Sequence, residues 1–225
     1  MIITDVRKRR GRLYQLYLDG EPAVTVDAAA FDESPYRMGG RIDDDQLREL
    51  LEAGSRRRAR EKALYLLSMR DHSRGELEQK LRQTAGAQAA EEPLGVPAGD
   101  VGTAEETAAR MEELGLVDDE AYARRLARDL LARKHYPRRR LAQELTGKGI
   151  DHALAEEAAA EAMEEAETDD GQQALELLRK KYYNRLYDEN ARRKTAAALA
   201  RYGFGGDAVR RAMEAALSDQ EDSGD

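Results

Sequence analysis

The stretch LTGKGIDHALAEEAAAEAM, residues 145–163, recurs as LARYGFGGDAVRRAMEAAL, residues 199–217, and this repetition decides the fold. At an offset of 54 residues Leu145 falls on Leu199, Gly149 on Gly203, Ile150 on Phe204, Ala158 on Ala212 and Met163 on Leu217. A further copy lies upstream, where an offset of 64 places Ala63 on Ala127, Leu66 on Leu130, Leu67 on Leu131, Leu77 on Leu141 and Leu81 on Leu145. Each copy is a short helical unit whose apolar face is too small to be buried alone, so neighbours must stack. The expected product is a mainly α chain of tandem three-helix repeats in an elongated body.

Punctuation between the helices repeats as well. In Leu114-Gly115-Leu116-Val117-Asp118, Gly115 supplies the left-handed residue that ends one helix, and Asp118 is placed to cap the next. Gly149-Ile150-Asp151 repeats that chemistry, Pro137 suits the first turn of a helix, and Gly203-Phe204 is followed by Asp207 as the expected cap of the last helix. Leu175, Leu178, Tyr182 and Leu186 mark the first helix of the third unit, and Ser73 with Glu76 reads as a capping box in the first. The first fifty residues differ in kind. Leu13 to Leu18 and Ala23 to Val26 flank Asp19-Gly20, a hairpin turn signal, and Asp43 with Gln46 starts a helix through Leu47, Leu50 and Leu51 on which a small β-hairpin can dock. The expected organisation is a hairpin plus helix over residues 1–54, repeats over 55–117, 118–170 and 171–218, and an acidic tail over 219–225. The first repeat carries an Ala-, Gly- and Pro-rich stretch at 84–102, read as an inserted loop.

With 36% charged and 5% aromatic residues and a mean hydropathy of −0.78, apolar material is spread over several modest cores rather than one large one. The absence of cysteine excludes disulfides, thiolate catalysis and thiolate metal sites, and His72, His135 and His152 are too scattered for a metal cluster, so no metal or cofactor is expected. No signal-peptide core and no run near the roughly 20 apolar residues of a membrane helix is seen, so a cytoplasmic protein without membrane attachment is expected.

The net charge of −8 hides segregation of sign. Residues 122–150 hold Arg124, Arg125, Arg128, Arg133, Lys134, Arg138, Arg139, Arg140 and Lys148 against only Asp129 and Glu144. The next helix carries Glu156, Glu157, Glu161, Glu164 and Glu165 with no Lys or Arg, after which Arg179, Lys180, Lys181, Arg192, Arg193 and Lys194 restore the positive sign. Screening confines such fields to about 8 Å at physiological salt, so an approaching partner meets the local charge rather than the total.

Two segments resemble the central part of the RecX family of regulatory proteins, modulators of the RecA recombinase: EELGLVDDEAYARRLARD at 112–129 and YPRRRLAQELTGKGID at 136–151. The resemblance extends more loosely over 60–81, with ALYLLSMRDHSRGELEQKL, and over 174–217, ending in ALARYGFGGDAVRRAM. The 84–102 insertion and the acidic helix after Asp151 depart from the family pattern. The resemblance implies a curved rod that docks into the groove of the RecA filament on DNA, obstructs strand exchange, lowers ATP hydrolysis and limits RecA-stimulated repressor cleavage during the SOS response. It implies no catalysis, which agrees with the lack of any nucleophile-and-base set, phosphate loop or metal set in the sequence.

The candidate contacts with RecA or DNA are the basic clusters. Arg138, Arg139 and Arg140 occupy the first turn of an expected helix, where cations oppose the macrodipole, which points to an acidic surface or phosphates as partner rather than a solvated basic face. Arg124 and Arg128 share a helical face with Arg125 beside it, and Lys148 follows in the same basic segment. Arg179, Lys180 and Lys181 precede Tyr182, read as core, and Tyr183, read as a possible stacking residue, while Arg192, Arg193 and Lys194 open the following helix. The acidic helix is read as a solvated face, with a basic patch or mimicry of nucleic acid as the alternatives. The competing function is direct binding of single- or double-stranded DNA without RecA. A monomer is expected of a rod that lies in a groove.

Overall fold

A computed structural model describes residues 1–91, 101–182, 186 and 188–222. The chain divides into two compact units, Met1–Asp118 and Asp119–Asp225.

The first unit opens with an antiparallel sheet of β1 (Ile3–Arg9), β2 (Leu13–Leu18) and β3 (Glu21–Asp27), in the order β1-β2-β3. The expected hairpin is β2 and β3, turned at Asp19 and Gly20, which both take positive φ (53° and 93°) as a tight hairpin turn demands. Strand β1 was not expected. Its sequence, ITDVRKR, shows hardly any apolar alternation, and it pairs as an edge strand through backbone register with β2. One face of the sheet buries Leu16, Leu18 and Val26 with Ile3 against Phe31, Ile42 and Leu50.

Helices α1 (Ala28–Glu33) and α2 (Asp44–Met69) close that core. The predicted capping box is present: Gln46 N–H donates to Asp43 Oδ1 at 2.8 Å and Asp43 N–H to Gln46 Oε1 at 3.0 Å. Helix α2 runs through Gly54 without a break. Gly54 is buried, and a Cβ there would lie 2.8 Å from that of Asp27, so the missing side chain lets β3 approach the helix. Asp27 caps α1 by accepting from Ala30 N–H at 2.9 Å and faces Arg57 (3.8 Å) and Arg58 (3.9 Å) on α2.

The second half of α2 then packs with α3 (Arg74–Glu91) and α4 (Val101–Glu113) around Ala63, Leu77, Leu81, Ala104, Ala108, Met111 and Val117. Glu76 N–H donates to the Ser73 hydroxyl at 3.0 Å, as the capping signal required. The stretch read as a loop at 84–102 is helical at both ends, since α3 continues to Glu91 and α4 begins at Val101. Alanine and glutamine favour continued helix there; the two prolines, Pro93 and Pro97, fall outside the described residues.

The second unit contains α5 (Asp119–Lys134), α6 (Arg138–Thr146), α7 (His152–Glu165), α8 (Asp170–Lys181), α9 (Glu189–Tyr202) and α10 (Gly206–Asp222). Two cores result. Ala123, Ala127, Leu131, Leu141, Leu145, Ile150, Ala158 and Met163 form one; Ala174, Leu177, Leu178, Leu199, Phe204, Ala212 and Ala216 form the other. Apart from the two turn glycines, the positions matched by the repeats are buried or half-buried in these two cores or in that of the first unit, so the mostly helical fold with tandem three-helix units stands as expected.

The turns that close the units share one geometry. Gly115, Gly149 and Gly203 have φ of 69°, 80° and 112°. In each case the next residue donates back five positions: Leu116 to Met111 O (2.9 Å), Ile150 to Leu145 O (3.3 Å) and Phe204 to Leu199 O (3.3 Å). Asp151 caps α7 through Ala153 N–H at 2.8 Å. Two expectations for the third unit change. Asp207 lies inside the first turn of α10 rather than at its cap, and the first helix stops at Lys181. Leu186 is still core, but it reaches it from beyond the helix, while Ala174, Leu177 and Leu178 form the buried stripe.

Two substitutions test this packing by urea denaturation. Gly54→Ala gains about 1 kcal/mol of helix propensity but overpacks Asp27 at a cost of about 1–3 kcal/mol, so stability should fall or at best hold. Gly203→Ala meets only ordinary contacts with Pro137 and Arg140, so it should lose about 1–2 kcal/mol through the left-handed backbone alone.

Candidate functional site

Helices α5 and α7 bring the basic and acidic runs of the sequence face to face. Arg124 Nε donates to Glu161 Oε2 at 2.9 Å, and the Arg128 guanidinium grips Glu165 through Nε (2.5 Å) and Nη2 (2.6 Å). Both pairs are 37 residues apart, so the two helices run in the same direction and stay in register over a full turn. The hydrogen bond from Arg128 holds the Glu165 carboxyl below the usual range, and the same contacts raise Arg124 and Arg128. The acidic helix therefore meets a basic patch within its own unit, and Arg124 and Arg128 spend their charge on it. Such exposed pairs contribute little to stability because water and salt screen them; what they set is register. Arg125 points elsewhere, its guanidinium 5.9 Å from the Tyr122 ring.

The three arginines at the start of α6 have three different fates. Pro137 occupies the cap position of α6 and has no side-chain hydrogen bond to offer. Asp170, from the start of α8, substitutes by accepting from Arg138 N–H at 2.9 Å, and the Arg138 side chain reaches Glu156 at 3.5 Å. These carboxylates compensate the macrodipole conflict that the sequence implied. Arg140 turns inward over two half-buried rings, 4.6 Å from the centre of Tyr136 and 4.9 Å from that of Tyr202, and donates to Tyr202 O at 3.1 Å. Arg139 is exposed with no carboxylate partner among the described residues.

The Tyr136 and Tyr202 rings, 5.3 Å apart, form the joint between the second and third repeats. Tyr202 also stacks on Phe204 at 6.1 Å and donates its hydroxyl to Lys134 O at 3.0 Å. Lys181 lies 5.2 Å from the Tyr202 ring, and Lys180 Nζ reaches Arg133 O at 3.4 Å. Cations suit this place because α5, α8 and α9 all end here and present carbonyl ends. Burial raises the Tyr202 hydroxyl above its ordinary value. His135, left-handed at φ 54°, brings Nδ1 to 3.2 Å from Gln173 Oε1 and belongs to the same joint.

The remaining candidates separate. Arg179 pairs with Asp219 (2.5 Å) and Glu176 (3.3 Å), clamping α8 to α10. Arg192 donates to Leu186 O at 3.1 Å, whereas Arg193 and Lys194 are exposed without carboxylate partners among the described residues. Lys194 and Arg201 line a cavity of about 640 Å³ with Tyr182, Asp188 and Thr195. Eight residues of α9 part Lys194 from Tyr202, about 12 Å along the axis, so the Arg193 group and the Tyr202 joint are distinct patches. Lys148 is half-buried in the turn after α6, and Tyr183 lies outside the described residues. Among the described residues no group of His, Asp and Glu is arranged to hold a metal, and no helix is long and apolar enough to cross a membrane.

The basic tip of the first unit went unread in the sequence. Arg7, Lys8, Arg9, Arg10 and Arg12 are all exposed around the β1–β2 turn. The signal, RKRRGR at 7–12, was present but lay in a stretch not recognised as a strand.

Sequence models of the first, second and third three-helix domains of RecX match residues 59–90, 118–158 and 168–213, in that order. A regulatory protein RecX of Stenotrophomonas maltophilia (strain K279a) is 35% identical over 170 residues, covering 73% of this chain and 93% of its own. That of Halorhodospira halophila is 33% identical over 172 residues, covering 76% and 96%. A crystal structure of a regulatory protein RecX superposes with a TM-score of 0.57 at 20% identity, covering 93% of this chain and 97% of that one, a likeness of fold.

Two measurements test the joint and its clamps. Arg140→Leu should lower stability by about 1–2 kcal/mol through loss of the two ring contacts and the carbonyl bond, while Arg139→Ala should stay within about 0.5 kcal/mol, both read as urea midpoints. The Asp169 carboxyl is held low, first by Gln172 N–H and then by Arg211. A depressed folded value gives stability that is complete above the unfolded value near 4 and is lost as pH falls through the folded one. Asp169→Asn should therefore flatten the acid limb of the stability profile below about pH 4.

Order of domains, identity, coverage and fold agree, and the chain belongs to the RecX family of regulatory proteins.

Proposed function

We propose that the protein is a non-catalytic regulator that binds the RecA–DNA filament and lowers RecA's recombinase, ATPase and repressor-cleavage activities in DNA repair and the SOS response, acting as a cytoplasmic monomer. The observation that carries this reading is the match of all three helical repeats, in sequence order, to the RecX three-helix domains. The surface supports it through a particular subset of cations. Arg139, Arg193 and Lys194 are exposed and without carboxylate partners among the described residues, whereas Arg124, Arg128, Arg138 and Arg179 are already paired. Exposed cations of this kind meet acidic protein or phosphate without first breaking an internal bond.

Substoichiometric protein should slow single-strand-dependent ATP hydrolysis by the cognate RecA, measured in a coupled assay, and a flat titration with folded protein would reject the proposal. Replacing Arg139, Arg193 and Lys194 together by Ala should raise the concentration needed for half-inhibition by about tenfold, equivalent to about 1.4 kcal/mol, with the helical circular dichroism unchanged. Direct DNA binding without RecA instead predicts no effect on ATPase once DNA is in excess.

A further inference from the structure

The β1–β2 hairpin of the first unit concentrates positive charge at its tip, and that charge is only partly paired. Five of the six residues from 7 to 12 are Lys or Arg, and all six are exposed. Arg7 is spoken for, with Nε 2.7 Å from Asp5 Oδ2 and its guanidinium 4.5 Å from the Tyr17 ring. Arg9 donates to the Gln15 side-chain oxygen at 3.2 Å. Lys8 and Arg10 have no carboxylate partner among the described residues, and Arg12, its side chain 85% exposed, makes only a long, solvent-exposed pair of 4.0 Å with Glu61. Other arginines of this unit are held in carboxylate pairs, as Arg57 and Arg58 are with Asp27. Mutual repulsion at the tip is thus left standing.

The backbone holds these cations out. Gly11 and Arg12 take positive φ (83° and 63°), turning the chain sharply between Arg9 and Leu13, which are paired across the sheet. Lys8 lies in β1 and Arg10 opens the turn just beyond it, so the two cations stand next to each other at the end of the hairpin. No apolar side chain interrupts residues 7–12. A protein partner would need an apolar, charge-depleted centre to its interface, whereas phosphates are bound by cations alone, with affinity drawn from counterion release.

We infer that the β1–β2 tip is a nucleic-acid site of the first unit, in which Lys8, Arg10 and Arg12 bind the phosphate backbone of single-stranded DNA without reading its sequence. This site needs no RecA. Residues 7–12 hold no aromatic side chain, so the contact they make is electrostatic and salt-sensitive.

The test is the salt dependence of binding to a fluorescein-labelled oligothymidine, followed by anisotropy with the full chain alone. A Lys8→Ser, Arg10→Ser, Arg12→Asn variant removes three cations, and Asn tolerates the left-handed position of Arg12. The unaltered chain should bind at low salt, and the variant's slope of log affinity against log salt should be shallower by about 2, from three contacts at about 0.7 each, with unchanged melting temperature. Equal slopes for both proteins, or no binding by the unaltered chain at low salt, would overturn the inference. So would loss of binding only in the Arg139, Arg193 and Lys194 variant. Because RecA is absent, failure here leaves the ATPase result standing, and failure there leaves this one.

Discussion

Each helical unit closes through a single left-handed turn. At Gly149 and Gly203 the backbone reverses so that Leu145 and Ile150, or Leu199 and Phe204, enter the same core from opposite sides of the turn. The back-donated hydrogen bond across five residues satisfies a helix-end carbonyl and fixes the angle at which the next helix leaves. Without that angle the alanine face of α7 would not meet α5, nor α10 meet α8. The alanine richness of these faces allows close helix approach, so small apolar areas suffice to hold each unit.

Charge then refines what packing has placed. In the second repeat the pairs Arg124–Glu161 and Arg128–Glu165 tie the first helix to the third. In the third repeat Asp169–Arg211 and Arg179–Asp219 do the same with the signs exchanged at one end. Individually such exposed pairs are weak; set a turn or more apart along parallel helices, they favour one register over a slip by one turn. The joint between the repeats works differently, with Arg140 held over two tyrosine rings and the Tyr202 hydroxyl satisfying an α5 carbonyl. A cluster that reads as a binding motif in one dimension is thereby divided among capping, stacking and exposure.

Much of the architecture was legible because it is local or repetitive. The glycine turns, the Asp43–Gln46 box, the Asp151 cap and the buried periodic leucines depend on neighbours within one or two helical turns. The β1 strand was not legible, because an edge strand with one protected residue needs no apolar alternation, and the helix ends inside 84–102 were masked by nearby proline and glycine. Gly54, inside the continuous α2, is a point of close approach to Asp27, 27 residues earlier, a contact that no local pattern announces.

The sequence by itself determined that there are three helical units, where their turns fall, and that the charge is segregated, since each follows from residue type at fixed spacing. Only the tertiary structure decided which cations remain available. Arg124 and Arg128 are spent on α7, and Arg140 on two aromatic rings, while Arg139, Arg193, Lys194 and, at the β1–β2 tip, Lys8 and Arg10 keep their charge exposed. The reason is range: helix signals act across a few residues of chain, but an ion pair acts across a few ångströms of space, and folding alone sets which carboxylate comes that near.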